Sequence, residues 1–216
     1  MIISYKNIRG EKMSFVSVIQ TEKFITVVTD GQVTSTSDKT ILQKNYKKFK
    51  KISPNQYIAF AGSKGLCEML LEFLPFKEQG YVLEQIVPEI KEFISKIPSQ
   101  LGRLLISVGG VNEKEQLVIY KLSNHEGTDI EKFQATGDDI SFTFLHNGSA
   151  EENLGGDLTE VLIQLIREIG YNTSNKTIRV QKRLNDYVAD VDDSVNKITF
   201  DLTIRKSIQV DAFSYD

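Results

Sequence analysis

Apolar and polar positions along the chain change their period in blocks. Two segments rich in β-branched residues, SFVSVIQ (Ser14–Gln20) and FITVVTD (Phe24–Asp30), are joined at Thr21-Glu22-Lys23 and predict a pair of strands. The second is apolar almost throughout, as a strand buried on both faces requires. DGQVTSTSD then reads as a polar turn region with small residues. The segment KKFKKI (Lys47–Ile52) alternates basic with apolar residues and leads into the turn signal Ser53-Pro54-Asn55-Gln56. Tyr57–Ala61 is another short apolar strand, closed by Gly62.

The period then lengthens. Leu66, Leu70 and Phe73 form an i, i+4, i+7 stripe that predicts a helix from Ser63 to Phe73. Cys67 lies beside that stripe and reads as a core thiol. Ile86, Ile90, Phe93 and Ile97 share one face of a second helix over about Val82–Ile97, which Pro88 either starts or kinks. Strands follow at Arg103–Val108, Gln116–Leu122, Glu131–Ala135 and Ser141–Leu145, then helices at about Leu158–Ile169 and Thr177–Tyr187, and a last strand at Lys197–Arg205. Strand blocks alternating with helix blocks, with no Gly/Ser linker or repeat, suggest stacked sheets with helices outside in one α+β domain.

Composition narrows the classes. The chain has 216 residues, 40% apolar and 25% charged, which excludes disorder or coiled coil as a description of the whole. A net charge of −3 provides no basic field for nucleic acid, and the one basic run, Lys44–Lys51, is local. One cysteine and two histidines, His125 and His146, leave no disulfide, zinc knuckle or multi-histidine centre to expect. No apolar stretch approaches the roughly 20 residues of a membrane span, and MIISYKNIRGEKM lacks the apolar centre of a signal peptide. A cytoplasmic protein without membrane or nucleic-acid partners is the expectation.

Among chemical motifs, GxGxxG, Walker A, HExxH and GxSxG are all missing. What remains is a constellation: Ser14 opens the first strand, Asp30 ends the second, and Lys48 lies in the basic strand before an Ala61-Gly62-Ser63 turn that starts a helix. A hydroxyl nucleophile needs a base, and backbone N–H groups at a helix start can receive an oxyanion. Were the serine N-terminal, its own amine could be that base, since an α-amino group has a pKa of about 8. Each residue also has a plainer reading: Asp30-Gly31 as a turn dipeptide, Ser14 as an ordinary strand residue, Lys48 as an exposed strand cation.

Taken together, SFVSV, VVTDGQVTS, KKFKKI and YIAFAGS resemble, in order and spacing, the 20S proteasome β-subunit superfamily and, within it, the bacterial HslV peptidases. DGQVT at Asp30–Thr34 is the most specific element, and the N-terminal third carries most of the likeness. The resemblance implies a four-layer αββα sandwich assembled into rings, with N-terminal-nucleophile, threonine-type peptidase chemistry. Ser14 would be the nucleophile, Asp30 and Lys48 its tuning pair (Lys47 the alternative lysine), and Gly62 an oxyanion donor. In Asn147-Gly148-Ser149, Ser149 would lie near the amine. The late aspartate would be Asp190, with Asp192, Asp193 and Ser194 nearby without the family's Asp-x-x-Ser spacing. Polypeptide substrates, self-association into rings and an AAA+ unfoldase are implied as partners, and no cofactor or metal.

The sequence also departs from that pattern. Serine replaces threonine, Phe15 is bulky, and residues 1–13 precede the nucleophile. They read as a leader, a propeptide or a mis-called start ahead of a single domain over 14–216. Arg9-Gly10-Glu11 can be encoded by purine-only codons resembling a ribosome-binding site, and Met13-Ser14 is the type of pair from which an initiator methionine is removed. With the leader retained, the amine of Ser14 is an amide. The chain would then be an inert scaffold or a regulatory protein; a small-amide amidohydrolase of the same chemistry is a further alternative.

Overall fold

The computed structural model describes residues 11–13, 15–35, 37–98, 101–146 and 158–206. Among the described residues twelve strands form two antiparallel sheets. One joins β1 (Glu11–Met13), β4 (Val33–Ser35), β5 (Ile41–Gln43), β6 (Phe49–Ser53), β7 (Gln56–Ser63), β8 (Leu104–Val111), β9 (Leu117–Ser123) and β10 (Glu131–Phe133). Its order is β10-β9-β8-β7-β1-β4-β5, with β6 also paired to β7. The other runs β11-β2-β3-β12, built from β2 (Phe15–Gln20), β3 (Phe24–Asp30), β11 (Ser141–His146) and β12 (Thr199–Arg205).

Three apolar layers make this a four-layer αββα sandwich. Helices α1 (Lys64–Phe73) and α2 (Leu83–Ser95) bury Leu66, Leu70, Val87, Ile90 and Ile94 on the outer face of the larger sheet. Val16, Val18, Ile25 and Val27 of the smaller sheet meet Tyr57, Ala59, Leu105 and Ile119 between the sheets. Phe15 and Ile19 point the other way, under α3 (Leu158–Ile169) and α4 (Ser174–Ala189), where Leu162, Val180, Leu184 and Val188 cover them. The alternation along β2 is thus apolar on both faces because both faces are covered. Each such buried Leu, Ile or Phe contributes roughly 1.5–3 kcal/mol.

The element order follows the sequence pattern, with three differences. The turn region after Asp30 contains a short strand, β4, and a second, β5, follows it, neither with the apolar alternation that would announce it. A strand, β1, precedes Ser14 although Glu11-Lys12-Met13 carries no strand pattern; its neighbours on both sides supply the pairing. Helix α4 starts at Ser174 rather than Thr177, because the Thr173 side chain caps it by accepting from the Lys176 N–H. Pro88 lies inside α2. Among the described residues no helix is long and apolar enough to cross a membrane.

Candidate functional site

Asp30 closes β3 at the point where the chain leaves the smaller sheet. Gly31 follows with its Cα pressed against β6's approach segment: a Cβ there would lie 2.6 Å from the Lys44 carbonyl oxygen. The turn is fastened by the Tyr46 N–H donating to the Gly31 carbonyl at 2.9 Å. This contact carries the following segment under Asp30, and Lys48 enters just before β6, its carbonyl accepting from the Phe60 N–H of β7 at 3.0 Å. The Lys48 ammonium then donates to Asp30 Oδ1, and both side chains are completely buried.

Asp30 has two further donors. Its Oδ1 accepts from the Phe15 N–H at 3.0 Å and its Oδ2 from the Gln32 N–H at 2.8 Å. Burial pushes the Asp30 carboxyl above the usual carboxylate range, against the pull of Lys48 and the two amides. Burial likewise pushes the Lys48 ammonium below its usual range, against the pull of Asp30. Of the two candidate lysines, Lys48 reaches Asp30, while Lys47 is exposed and its ammonium stands 5.3 Å over the Phe49 ring. Lys48 is therefore no solvent-facing strand cation.

Gly62 lies at the far end of β7, across from Leu104 of β8. Its φ is +112°, and a Cβ would fall 1.9 Å from the Arg103 carbonyl oxygen, so only glycine fits. The Ser63 N–H donates to that same carbonyl at 2.9 Å, and α1 starts at the next residue. Ser63 Oγ is buried without a hydrogen-bond partner among the described residues. On its free edge Gly62 is the register partner of Met13, which in turn pairs with Val33.

The loop after α4 reaches the same region. Asp190 caps that helix at the surface and pairs with the exposed Lys197 at 2.6 Å. Asp192 accepts from Ser194 N–H at 2.8 Å and Oγ at 2.5 Å, and its charge adds a minor pull on the Lys48 ammonium beside that of Asp30. The Asp193 carbonyl accepts from Gln32 Nε2 at 2.5 Å. Asn196 is the fastening that residue types alone did not reveal: its Oδ1 accepts from the Gly31 N–H at 3.0 Å and its Nδ2 donates to the Lys44 carbonyl at 2.9 Å.

Ser14 and Ser149 lie outside the described residues, as do Asn147 and Gly148. The residues flanking Ser14 in sequence are placed, Met13 beside Gly62 in the larger sheet and Phe15 beside His146 in the smaller. The structure thus brings Asp30, Lys48 and Phe15 together and leaves Asp190 paired at the surface. Cys67 is fully buried, which pushes its thiol far above the ordinary range and leaves it no nucleophile at neutral pH. Among the described residues no cluster of three His, Cys, Asp or Glu side chains could hold a metal ion.

A fully buried carboxylate that receives one ammonium and two amides can fix the start of β2 and hold a cation in place. No family model matches the chain, and no characterised protein matches it in sequence. The solved structure of eukaryotic HslV from Trypanosoma brucei does match, with a TM-score of 0.51 and 14% identity over 89% of this chain and 99% of that one. The chain therefore has a proteasome/HslV-like fold.

Proposed function

We propose that the chain is a subunit of an N-terminal-nucleophile peptidase in which Ser14, once its amine is free, attacks peptide carbonyls. The observation that carries this reading is the buried Asp30–Lys48 pair, whose carboxylate also holds the amide of Phe15, the residue directly after Ser14. Hydrolysis of the Met13–Ser14 bond, leaving a Met13 carboxylate, frees the amine. Ser14 Oγ then attacks the scissile carbonyl while the amine, directly or through a water, takes its proton. The leaving amine takes that proton as the acyl-serine ester forms, and water then hydrolyses the ester. Lys48 lowers the pKa of the nucleophile and amine, and the N–H groups around Gly62 receive the oxyanion.

In this reading the subunits assemble into a ring with an enclosed chamber in the cytoplasm, fed with unfolded chains by an AAA+ unfoldase. In the same reading Ser149 would assist the amine, and the late aspartate is Asp190 or its neighbour Asp192, which holds Ser194. The test is hydrolysis of fluorogenic peptides by a chain starting at Met13, compared with Ser14→Ala in the same chain. Activity that disappears in Ser14→Ala supports the reading; indistinguishable rates end it.

One observation favours a second reading, an inert scaffold or regulatory subunit. Glu11–Met13 pairs on both sides within the larger sheet, so these three residues ahead of Ser14 are part of the fold. Intact mass of the native protein separates the two, because a chain retaining Met1 has no free Ser14 amine.

A further inference from the structure

The Gly62–Ser63 turn is set from outside its own strand. The Arg103 carbonyl oxygen accepts the Ser63 N–H at 2.9 Å, and it lies so close to Gly62 that a Cβ there would stand 1.9 Å away. Gly102 presses on the same turn: its φ is +145°, and a Cβ on it would lie 2.7 Å from Ser63 Cβ. The position of Gly102 and Arg103 therefore decides how the turn is held.

One buried side chain brackets Arg103. Asn124, 5% exposed, accepts the Leu104 N–H on Oδ1 at 2.8 Å and donates from Nδ2 to the Gly102 carbonyl at 2.9 Å. Its Nδ2 also donates to the Ile97 carbonyl at 3.4 Å, just past the end of α2, and its own N–H donates to the Leu104 carbonyl at 3.3 Å. Both amide donors and the acceptor are thus spent on backbone groups. Asn124 is itself held, because it lies in the turn after β9. There Lys91 of α2 donates to the Ser123 carbonyl at 2.8 Å and to Thr128 Oγ1 at 3.2 Å.

We propose that Asn124 is a positioning residue. By fixing the peptide groups on either side of Arg103 it aims the Arg103 carbonyl, which holds Gly62 and Ser63 in the geometry of an oxyanion wall. The catalytic consequence rests on the peptidase reading; the positioning itself rests on the hydrogen bonds of Asn124. A displaced wall loses contact with the charge that develops in the transition state rather than with bound substrate, so the loss falls on kcat.

The test compares Asn124→Ala with the unsubstituted full chain. Amide hydrogen exchange is read at Ser63 and at Phe60, three residues earlier in β7, whose N–H donates to the Lys48 carbonyl at 3.0 Å. A uniform loss of stability speeds both amides by the same factor, whereas loss of positioning speeds Ser63 alone. The Ser63-to-Phe60 rate ratio rises at least about tenfold in Asn124→Ala; an unchanged ratio would overturn the proposal. Lys91→Met loosens the same turn without touching the buried amide and raises the ratio at least about threefold, and it decides the matter if Asn124→Ala does not fold. Hydrolysis of a fluorogenic peptide is the second readout: kcat falls at least about tenfold in Asn124→Ala while KM stays within about threefold. In an active chain, an unaffected kcat or a loss confined to KM overturns the proposal. If the unsubstituted chain hydrolyses nothing, the peptidase reading fails by itself, and the exchange ratio alone decides the positioning.

Discussion

Asp30 and Phe15 are 15 positions apart in sequence, yet the Asp30 carboxylate accepts the Phe15 backbone N–H at 3.0 Å, with the same oxygen that receives Lys48. One buried carboxylate therefore ties the first described residue of the smaller sheet to a cation delivered by the larger one. Asp30 acts as the joint between the two sheets at the position where the chain passes from β1 to β2.

The joint predicts opposite pH responses for its two halves. Removing either partner strands the other charge in the interior and costs about 3–5 kcal/mol at neutral pH. In Asp30→Asn the buried Lys48, already pushed down by burial, is neutral in the folded state and protonated in the unfolded chain below about pH 10.4. The unfolded state binds more protons, so stability rises with pH, by up to about 1.4 kcal/mol per unit. In Lys48→Met the buried Asp30, already pushed up, keeps its proton when folded and loses it when unfolded above about pH 4. Stability then falls as pH rises. Urea midpoints at pH 5, 7 and 9 read both slopes, with the wild-type profile between them; parallel slopes would contradict the pairing.

Gly62→Ala tests the turn beside the joint. The new Cβ meets the Arg103 carbonyl at 1.9 Å, and the φ of +112° is strained for alanine in any case. A loss of at least about 2 kcal/mol is expected from strain and displacement together. Gly127→Ala is the control, since its φ is also positive, +72°, but nothing lies within 4 Å of its Cβ. Its cost stays near that of the backbone conformation alone, about 1–2 kcal/mol.

The difference between these positions shows what was legible in the sequence. The strand and helix blocks were readable because β2, β3, β7 and the helices are long enough to display a period. Strands β4 and β5 were not: each is three residues long, and Ile41 and Leu42 of β5 are about half exposed, at 48% and 51%. Asp30 and Lys48 could be proposed from order and residue type, whereas the choice between Lys47 and Lys48 depended on which side of the strand faces inward. Asn196 was invisible, because it joins backbone groups of residues 165 and 152 positions away and no residue type announces that.

That bridge makes its own prediction. Asn196→Ala leaves the Gly31 N–H and the Lys44 carbonyl without their side-chain partner, and about 1–2 kcal/mol is lost. Asn196→Asp keeps the acceptor for Gly31 and loses the donor to Lys44, so it falls between alanine and wild type. Chemical denaturation of the three chains orders them; equal stability of all three would remove the bridge from the account.

Phe15 separates packing from the joint. Its ring is fully buried beneath α3 and α4, stacked at 6.3 Å from Phe144, while its backbone N–H serves Asp30. The bulky side chain therefore belongs to the helix-side core, and the amide belongs to the joint. Phe15→Ala opens a cavity among Leu158, Leu162 and Leu184 and costs about 3–5 kcal/mol; Phe15→Leu refills most of it and costs under about 1.5 kcal/mol. Neither substitution removes the N–H, so both keep the wild-type slope of stability against pH even as its level drops. Unfolding both variants at pH 5, 7 and 9 checks this: curves displaced in parallel place Phe15's ring outside the Asp30–Lys48 electrostatics, and a changed slope would place it inside.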